Sequence, residues 1–254
     1  MTTNPRSSTN DRTIICSEYE AENFSANEKK TRSRTGAMMQ EIHTVLQSKK
    51  GIHILDIGCG KNLGLLKLLS NRYPDNFYVG CDVTSDVHTG KPDIEYYKSD
   101  FNCPTPFQDN QFDLIIAGEI IEHLYDTDNA FKELHRIGKN NCTIIITTPN
   151  LSSFIDRILL LLGFLPSSME VSYCDRSFGR KALIKKNSPA VGHIRAFTWA
   201  SLRDMALHYD FKIRKHIGCY HHTFLINKLI PYLIPRLSQQ QLIVLNNNRK
   251  ARNK

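Results

Sequence analysis

The sequence has 254 residues and lacks the features that would make several answers easy. No apolar run approaches the ~20 residues needed to cross a bilayer; the longest greasy stretch is 158–165. The polar start, 1–12, has no apolar signal core. Seven cysteines, at 16, 59, 81, 103, 142, 174 and 219, make no CxxC pair and no metal-ligand spacing. Their odd number leaves any disulfide framework with one thiol over, which fits a reducing, cytoplasmic setting. There is no internal repeat of roughly 20 to 50 residues, so solenoids and propellers are excluded. Acid is the scarcer charge, 25 Asp and Glu against 33 Lys and Arg, for a net charge of +8.

What is present is enough for one α/β globule, with 41% hydrophobic residues. Residues 1–35 are polar and charged and read as a flexible leader, and 248–254 as a basic tail. Lys29, Lys30, Arg32 and Arg34, with Arg249, Lys250, Arg252 and Lys254, carry much of the excess charge. No aromatic residues interleave with them, as a single-strand binder would require, so they read as solvated ends and nucleic acid is not the expected partner.

Between these ends, 36–247 reads as a single domain. Apolar spacing gives an amphipathic helix at 36–47. Short apolar runs then alternate with helical ones: 52–57, 63–69, 77–81, 94–97, 114–117, 130–137 and 143–147. That is the order of a parallel sheet covered by helices on both faces. A helix between the second and third strands is poorly marked, because 83–93 contains Gly90 and Pro92. Beyond Pro149, helices are expected at 154–165 and 199–208 and strands at 211–218 and 241–245. The apolar segment 224–234 is broken at Pro231, and the excursion at 151–197 has the length of a lid or acceptor loop.

The most informative stretch is Asp56-Ile57-Gly58-Cys59-Gly60-Lys61-Asn62-Leu63-Gly64, a strand end running into a glycine turn and a helix. Gly58 and Gly60 let a ligand lie against bare backbone in front of unpaired helix N–H groups. A dinucleotide fingerprint would need glycine at Leu63, and its pyrophosphate would meet the Asp56 carboxylate. S-adenosylmethionine brings an ammonium, a sulfonium and no phosphate, which turns Asp56 into an asset. Asp82, ending the next strand, is placed to accept from ribose hydroxyls.

Taken with Asp82, Ser99-Asp100-Phe101, 106–114, Gly118-Glu119-Ile120-Ile121-Glu122-His123-Leu124 and Thr147-Thr148-Pro149-Asn150, the turn resembles the class I S-adenosylmethionine-dependent methyltransferases over about 35–220. The resemblance implies a Rossmann-like, doubly wound, seven-stranded sheet of order 3-2-1-4-5-7-6, with β7 antiparallel and helical lid insertions. It places Asp56, Gly58, Cys59, Gly60 and Glu119 along the methionine, Asp82 and Val83 at the ribose, and Asp100 with Phe101 beside the adenine. Asn62 stands where many members have glycine, a position Asn can fill in the left-handed region.

For a hydroxyl acceptor the candidate bases are His123 and His193. In E-x-x-E-H, Glu119 and His123 would lie four residues apart on one helical turn, and with Glu122 and the distant His193 they could hold a divalent ion. That pattern resembles metal-assisted O-methyltransferases of ubiquinone synthesis and of small-RNA 3' ends. Methyltransferases that need no metal show it too, so metal dependence stays open. His221 and His222 are adjacent on an extended segment, point to opposite faces and are discounted as a metal pair.

Greasy residues beside basic ones in 154–159 and 225–230 allow a lipid-linked acceptor and peripheral membrane contact, or simply a lid packed on the sheet. The expected function is methyl transfer to a small or lipid-linked acceptor at oxygen. The alternatives are RNA 3'-end 2'-O-methylation and a cofactor-binding regulator without turnover.

Overall fold

The structure, a computed structural model, describes residues 32–85, 87, 90–183, 188–220 and 225–248, and of 225–228 the backbone alone. The leader up to 31, the tail from 249, and His221 and His222 lie outside the described residues. Seven strands form one sheet: β1 (His53–Ile57), β2 (Phe77–Asp82), β3 (Ile94–Lys98), β4 (Phe112–Gly118), β5 (Gly138–Pro149), β6 (Phe211–Cys219) and β7 (Gln240–Asn247). Their order is β3-β2-β1-β4-β5-β7-β6, with β7 antiparallel to both neighbours and the other pairs parallel. This is the order and the Rossmann-like fold that the sequence motifs imply.

Helices cover both faces because the central strands are apolar on both sides. Ile54, Leu114 and Ile116 face α1 (Arg34–Ser48) and α2 (Gly64–Arg72) through Met38, Ile42, Leu66 and Leu69. Leu55, Ile57 and Ile115, offset by one residue, face α3 (Thr127–Ile137) and α5 (Trp199–His208) through Phe131, Leu134 and Leu202. Two further helices, α4 (Phe154–Leu161) and α6 (Leu225–Leu233), sit in the connections after β5 and after β6. No helix among the described residues is long and apolar enough to cross a membrane.

Several boundaries move for local reasons. α1 starts at Arg34, inside the expected leader, because the Ser33 side chain caps it by accepting from the Gly36 amide. α4 stops at Leu161 rather than 165, since Gly163 takes a left-handed φ of 77° and ends the helical path. Pro231 lies inside α6 instead of breaking it, and the last turn is closed by Ile234 N donating to the Ile230 carbonyl at 2.8 Å. Between β2 and β3 no helix forms among the described residues.

The register fixes one functional end. Gly118 of β4 pairs with Thr147, Pro149 of β5 pairs with Gln240, and Gln240 pairs with Cys219 of β6. So β4, β5 and β6 finish, and β7 begins, at one edge, and the excursions carrying α4 and α6 leave from it. The first excursion is closed at its root: Asn150 and Phe197 form an isolated bridge, and Leu151 N donates to the Phe197 carbonyl at 2.9 Å.

Candidate active site

The turn after β1 is held open by backbone conformation. Gly58, Gly60 and Leu63 have φ of 71°, 63° and 53°, so the left-handed position expected at Asn62 falls one residue later, on Leu63. A Cβ at Gly58 would meet Ile120 Cδ1 at 3.0 Å, in addition to its positive φ. Asp82 ties this turn to the end of β2. One carboxylate oxygen accepts from the Gly60 amide at 3.0 Å, the other from the Thr84 amide at 3.0 Å and the Thr84 hydroxyl at 2.8 Å.

Asp56 and Cys59 are buried beside it, while Val83 is exposed at the lip. Burial, and secondly the Asp82 charge, push the Asp56 carboxyl up to about 8. A cation placed here would therefore be welcomed. Asp100 stabilises the next turn, accepting from the Asn102 amide at 2.9 Å, and Phe101 is buried in the core below.

At the end of β4 the chain bends sharply, with Glu119 at φ 52° and its amide donating to the Thr147 carbonyl at 3.0 Å. Glu119 Oε2 meets the Arg34 guanidinium at 3.1 Å, and its Oε1 is buried with no hydrogen-bond partner among the described residues. Ile121–His123 is a single 3-10 turn. Glu119 is thus outside any helix, and the expected helical stacking of Glu119 under His123 does not occur, because the left-handed residue redirects the chain first.

Glu122, His123 and His193 do come together, with one ligand-type atom from each within 4.8 Å of the others. Glu122 is buried; its Oε2 accepts from the Thr148 hydroxyl at 3.0 Å and its Oε1 has no partner among the described residues. Burial first, and the neighbouring Glu119 charge second, raise its carboxyl well above the ordinary range. His123 Nδ1 faces the Gly192 carbonyl at 3.0 Å and His193 Nδ1 faces the Ser168 carbonyl at 3.3 Å. A carbonyl only accepts, so each Nδ1 carries a proton, and in the neutral ring Nε2 is then the acceptor nitrogen. The two rings lie 5.0 Å apart.

The segment bearing His193 is held from both sides. The Ile194 and Arg195 amides donate to the Glu122 carbonyl at 2.9 and 3.0 Å. On the other side the Glu170 carboxylate accepts from the amides of Val191 at 2.9 Å, Gly192 at 2.7 Å and His193 at 3.3 Å. A cavity of about 320 Å³ opens beside His193, lined by Met169, Glu170, Tyr173 and Arg195 among others.

The family described as methyltransferase domain matches residues 31–216, well over half of the chain. The chain belongs to the methyltransferase-domain family. Among solved structures it is similar to a chain of the complex of the Haloferax volcanii Trm112 methyltransferase activator with a protein described as a methyltransferase, at 12% identity over 96% of this chain and 99% of that one, with a TM-score of 0.56. It is similar to a SAM-dependent methyltransferase from Methanosarcina mazei at 17% identity, covering 83% and 98% of the two chains, with a TM-score of 0.54. It is also similar to an S-adenosylmethionine-dependent methyltransferase from Mesorhizobium loti at 14% identity, covering 83% and 97%, with a TM-score of 0.53. Likeness at such identities shows the fold. No curated protein matches. The chain is an S-adenosylmethionine-dependent methyltransferase, with S-adenosylmethionine as its cofactor.

In this methyltransferase, two site residues escape sequence reasoning. Arg34 falls in a charged stretch read as solvated, yet its side chain is buried against Glu119. Arg32, read as solvated with it, places its guanidinium 5.3 Å from the ring centre of exposed Tyr232, outside the site. The signal for Arg34 was Ser33, an N-cap residue directly before a helical pattern. Glu170 gave no signal, because its partners are backbone amides 21 to 23 residues away.

Proposed function

We propose that this methyltransferase transfers the methyl to a hydroxyl oxygen of a small or lipid-linked acceptor, with the acceptor proton leaving to His193. The carrying observation is the pair of imidazoles 5.0 Å apart, each with Nδ1 committed to a backbone carbonyl. In the neutral ring that leaves Nε2 as the nitrogen able to accept a proton.

Bound S-adenosylmethionine supplies a methyl on a cationic sulfur, and transfer is an in-line displacement in which a C–O bond forms as the C–S bond breaks. The residues fit that cofactor. Glu119 Oε1 is a buried acceptor with no partner among the described residues, Asp56 is a buried acid, and Gly58 and Gly60 leave bare backbone between them. Asp56 and Glu119 would receive the ammonium, Arg34 the methionine carboxylate, Asp82 the ribose hydroxyls beside Val83, and Asp100 with Phe101 would border the adenine. His193 Nε2 then takes the acceptor proton, and His123 holds the Gly192 carbonyl so that the loop bearing His193 keeps its place.

Glu122, His123 and His193 also fit a divalent cation: a buried carboxylate oxygen without a partner among the described residues, and two imidazoles oriented through Nδ1 onto carbonyls. When bound, the ion would supply a Lewis acid that lowers the pKa of the acceptor hydroxyl. Chelation separates the two readings, since only the metal-assisted one loses turnover with a chelator and regains it with added metal.

Turnover of a panel of phenols, catechols and lipid-linked alcohols, read by mass spectrometry, tests the assignment. Methyl ethers are expected. His193→Ala should lose roughly a hundredfold or more in turnover, at unchanged cofactor affinity by calorimetry. Methylated amines or carbons instead of ethers, or full turnover in that variant, overturn the assignment.

A further inference from the structure

The end of the sheet where acceptor chemistry is placed is also its greasiest exterior. α4 leaves that edge after β5, and α6 with the following 3-10 turn (Pro235–Leu237) joins β6 to β7 across it. Of the eight residues of α4 only Asp156 is buried. Leu161 is 86% exposed, and Leu160 and Leu162 beside it are exposed too. On the other connection Leu233 is 76% exposed, with Leu229, Tyr232 and Ile234. Tyr173, at the mouth of the cavity next to His193, is 75% exposed. A water-facing monomer does not keep so many large apolar side chains on one end without a use for them.

The charge around these side chains points to one kind of partner. Residues 151–197 carry seven Lys and Arg against three Asp and Glu, and 220–239 carry two against none. Two of the three acids are spent internally, and of the seven cations Arg180 is buried with its guanidinium on the Pro166 and Arg176 carbonyls, so a surplus of cations remains. Asp156 accepts from the Ser167 amide and hydroxyl at 2.6 Å and the Ser168 hydroxyl at 2.8 Å, and Glu170 accepts from three amides. Arg157, on the exposed side of α4, and Arg236, just past α6, stand among the leucines with no acid beside them in sequence apart from buried Asp156. Protruding apolar side chains with a surplus of cations match a negatively charged lipid surface, where the leucines enter the acyl boundary and the guanidiniums stay with the headgroups.

We propose that this end of the methyltransferase docks on an anionic lipid bilayer, with the exposed faces of α4 and α6 inserted, so that the acceptor enters the His193 cavity from the membrane. The docking stands on the surface alone; that the membrane delivers the acceptor rests on the hydroxyl-transfer reading above.

The test is flotation of the full chain with vesicles of phosphatidylglycerol and phosphatidylcholine, and with phosphatidylcholine alone, at low and high salt. The protein should float with the anionic vesicles, do so less at high salt, and stay behind with neutral ones. Leu161→Asp and Leu233→Asp, both at exposed positions outside the cofactor site, should each weaken vesicle binding on the order of tenfold while leaving melting temperature and cofactor affinity unchanged. Failure to float, equal binding to neutral vesicles, or indifference to both substitutions overturns the proposal. A dimer in light scattering that Leu161→Asp dissociates would assign the surface to a second copy and overturn it as well. Flotation needs neither cofactor nor turnover, so its outcome is independent of the His193 assay.

Discussion

A buried acid without its counter-charge should make the cofactor-free protein sensitive to alkali. Asp56 is buried, and its carboxyl stands at about 8 against an ordinary 3.8. Over that interval the folded chain keeps a proton that the unfolded chain has given up. Stability is therefore fully present below the unfolded value, falls as pH rises, and levels off once pH has passed the folded value. Integrated from pH 6 to pH 9, the shift amounts to ~3 kcal/mol at about 1.4 kcal/mol per pKa unit. For a chain of this length, at roughly 2–4 °C per kcal/mol, that is a fall of about 6–12 °C in melting temperature. Asp56→Asn keeps the shape and removes the ionisation, so the drop attributable to this site is the wild-type drop minus the variant's, read by thermal unfolding at the two pH values without cofactor. Adding S-adenosylhomocysteine, whose ammonium supplies the missing positive charge, should shrink the difference. Identical pH dependence in the two proteins would refute the reasoning, since burial would then not be charging Asp56 any cost of ionisation.

Asp82→Ala removes the acceptor for the Gly60 and Thr84 amides and the group assigned to the ribose; cofactor affinity by calorimetry should fall by ~1–3 kcal/mol. Glu170→Ala releases the three amides that hold the loop of His193, so turnover should fall while the cofactor dissociation constant stays put, and Glu170→Gln, which keeps one carbonyl acceptor, should recover part of it. Gly218→Ala brings a methyl within 2.7 Å of Pro235 backbone atoms, so β6 and the 3-10 turn must separate; a loss of ~1–3 kcal/mol in denaturant unfolding is expected.

The cofactor half was legible in the sequence for a physical reason. Residues 54, 55, 57 and 114–117 are apolar and buried on both faces of their strands, as covered parallel strands are, and Gly58 and Gly60 punctuate a turn whose positive φ values favour glycine. The order of the last three strands came from the family likeness rather than from periodicity, because antiparallel pairing of β7 leaves no mark in a single strand. The acceptor half was less legible. His123 and His193 stand 70 residues apart and meet only because the excursion is folded back, by Glu170 on one side and by the Glu122 carbonyl on the other. The helical reading of E-x-x-E-H failed at a single torsion, the positive φ of Glu119, which no residue type there announces. Arg34 was hidden by its neighbours' composition.

The roots of the long excursions share one hydrogen-bonded knot. The Asn150 side-chain Nδ2 donates to the carbonyls of Arg236 and Ser238 at 2.9 and 2.8 Å, and the Gln241 side-chain Nε2 donates to the Phe197 carbonyl at 3.3 Å. Both side chains are buried. Whatever the tips do on meeting an acceptor, their bases are stapled to β5 and β7. Sequence change out on the tips can then accumulate without disturbing the glycine turn after β1, two strands away from β5 in the sheet.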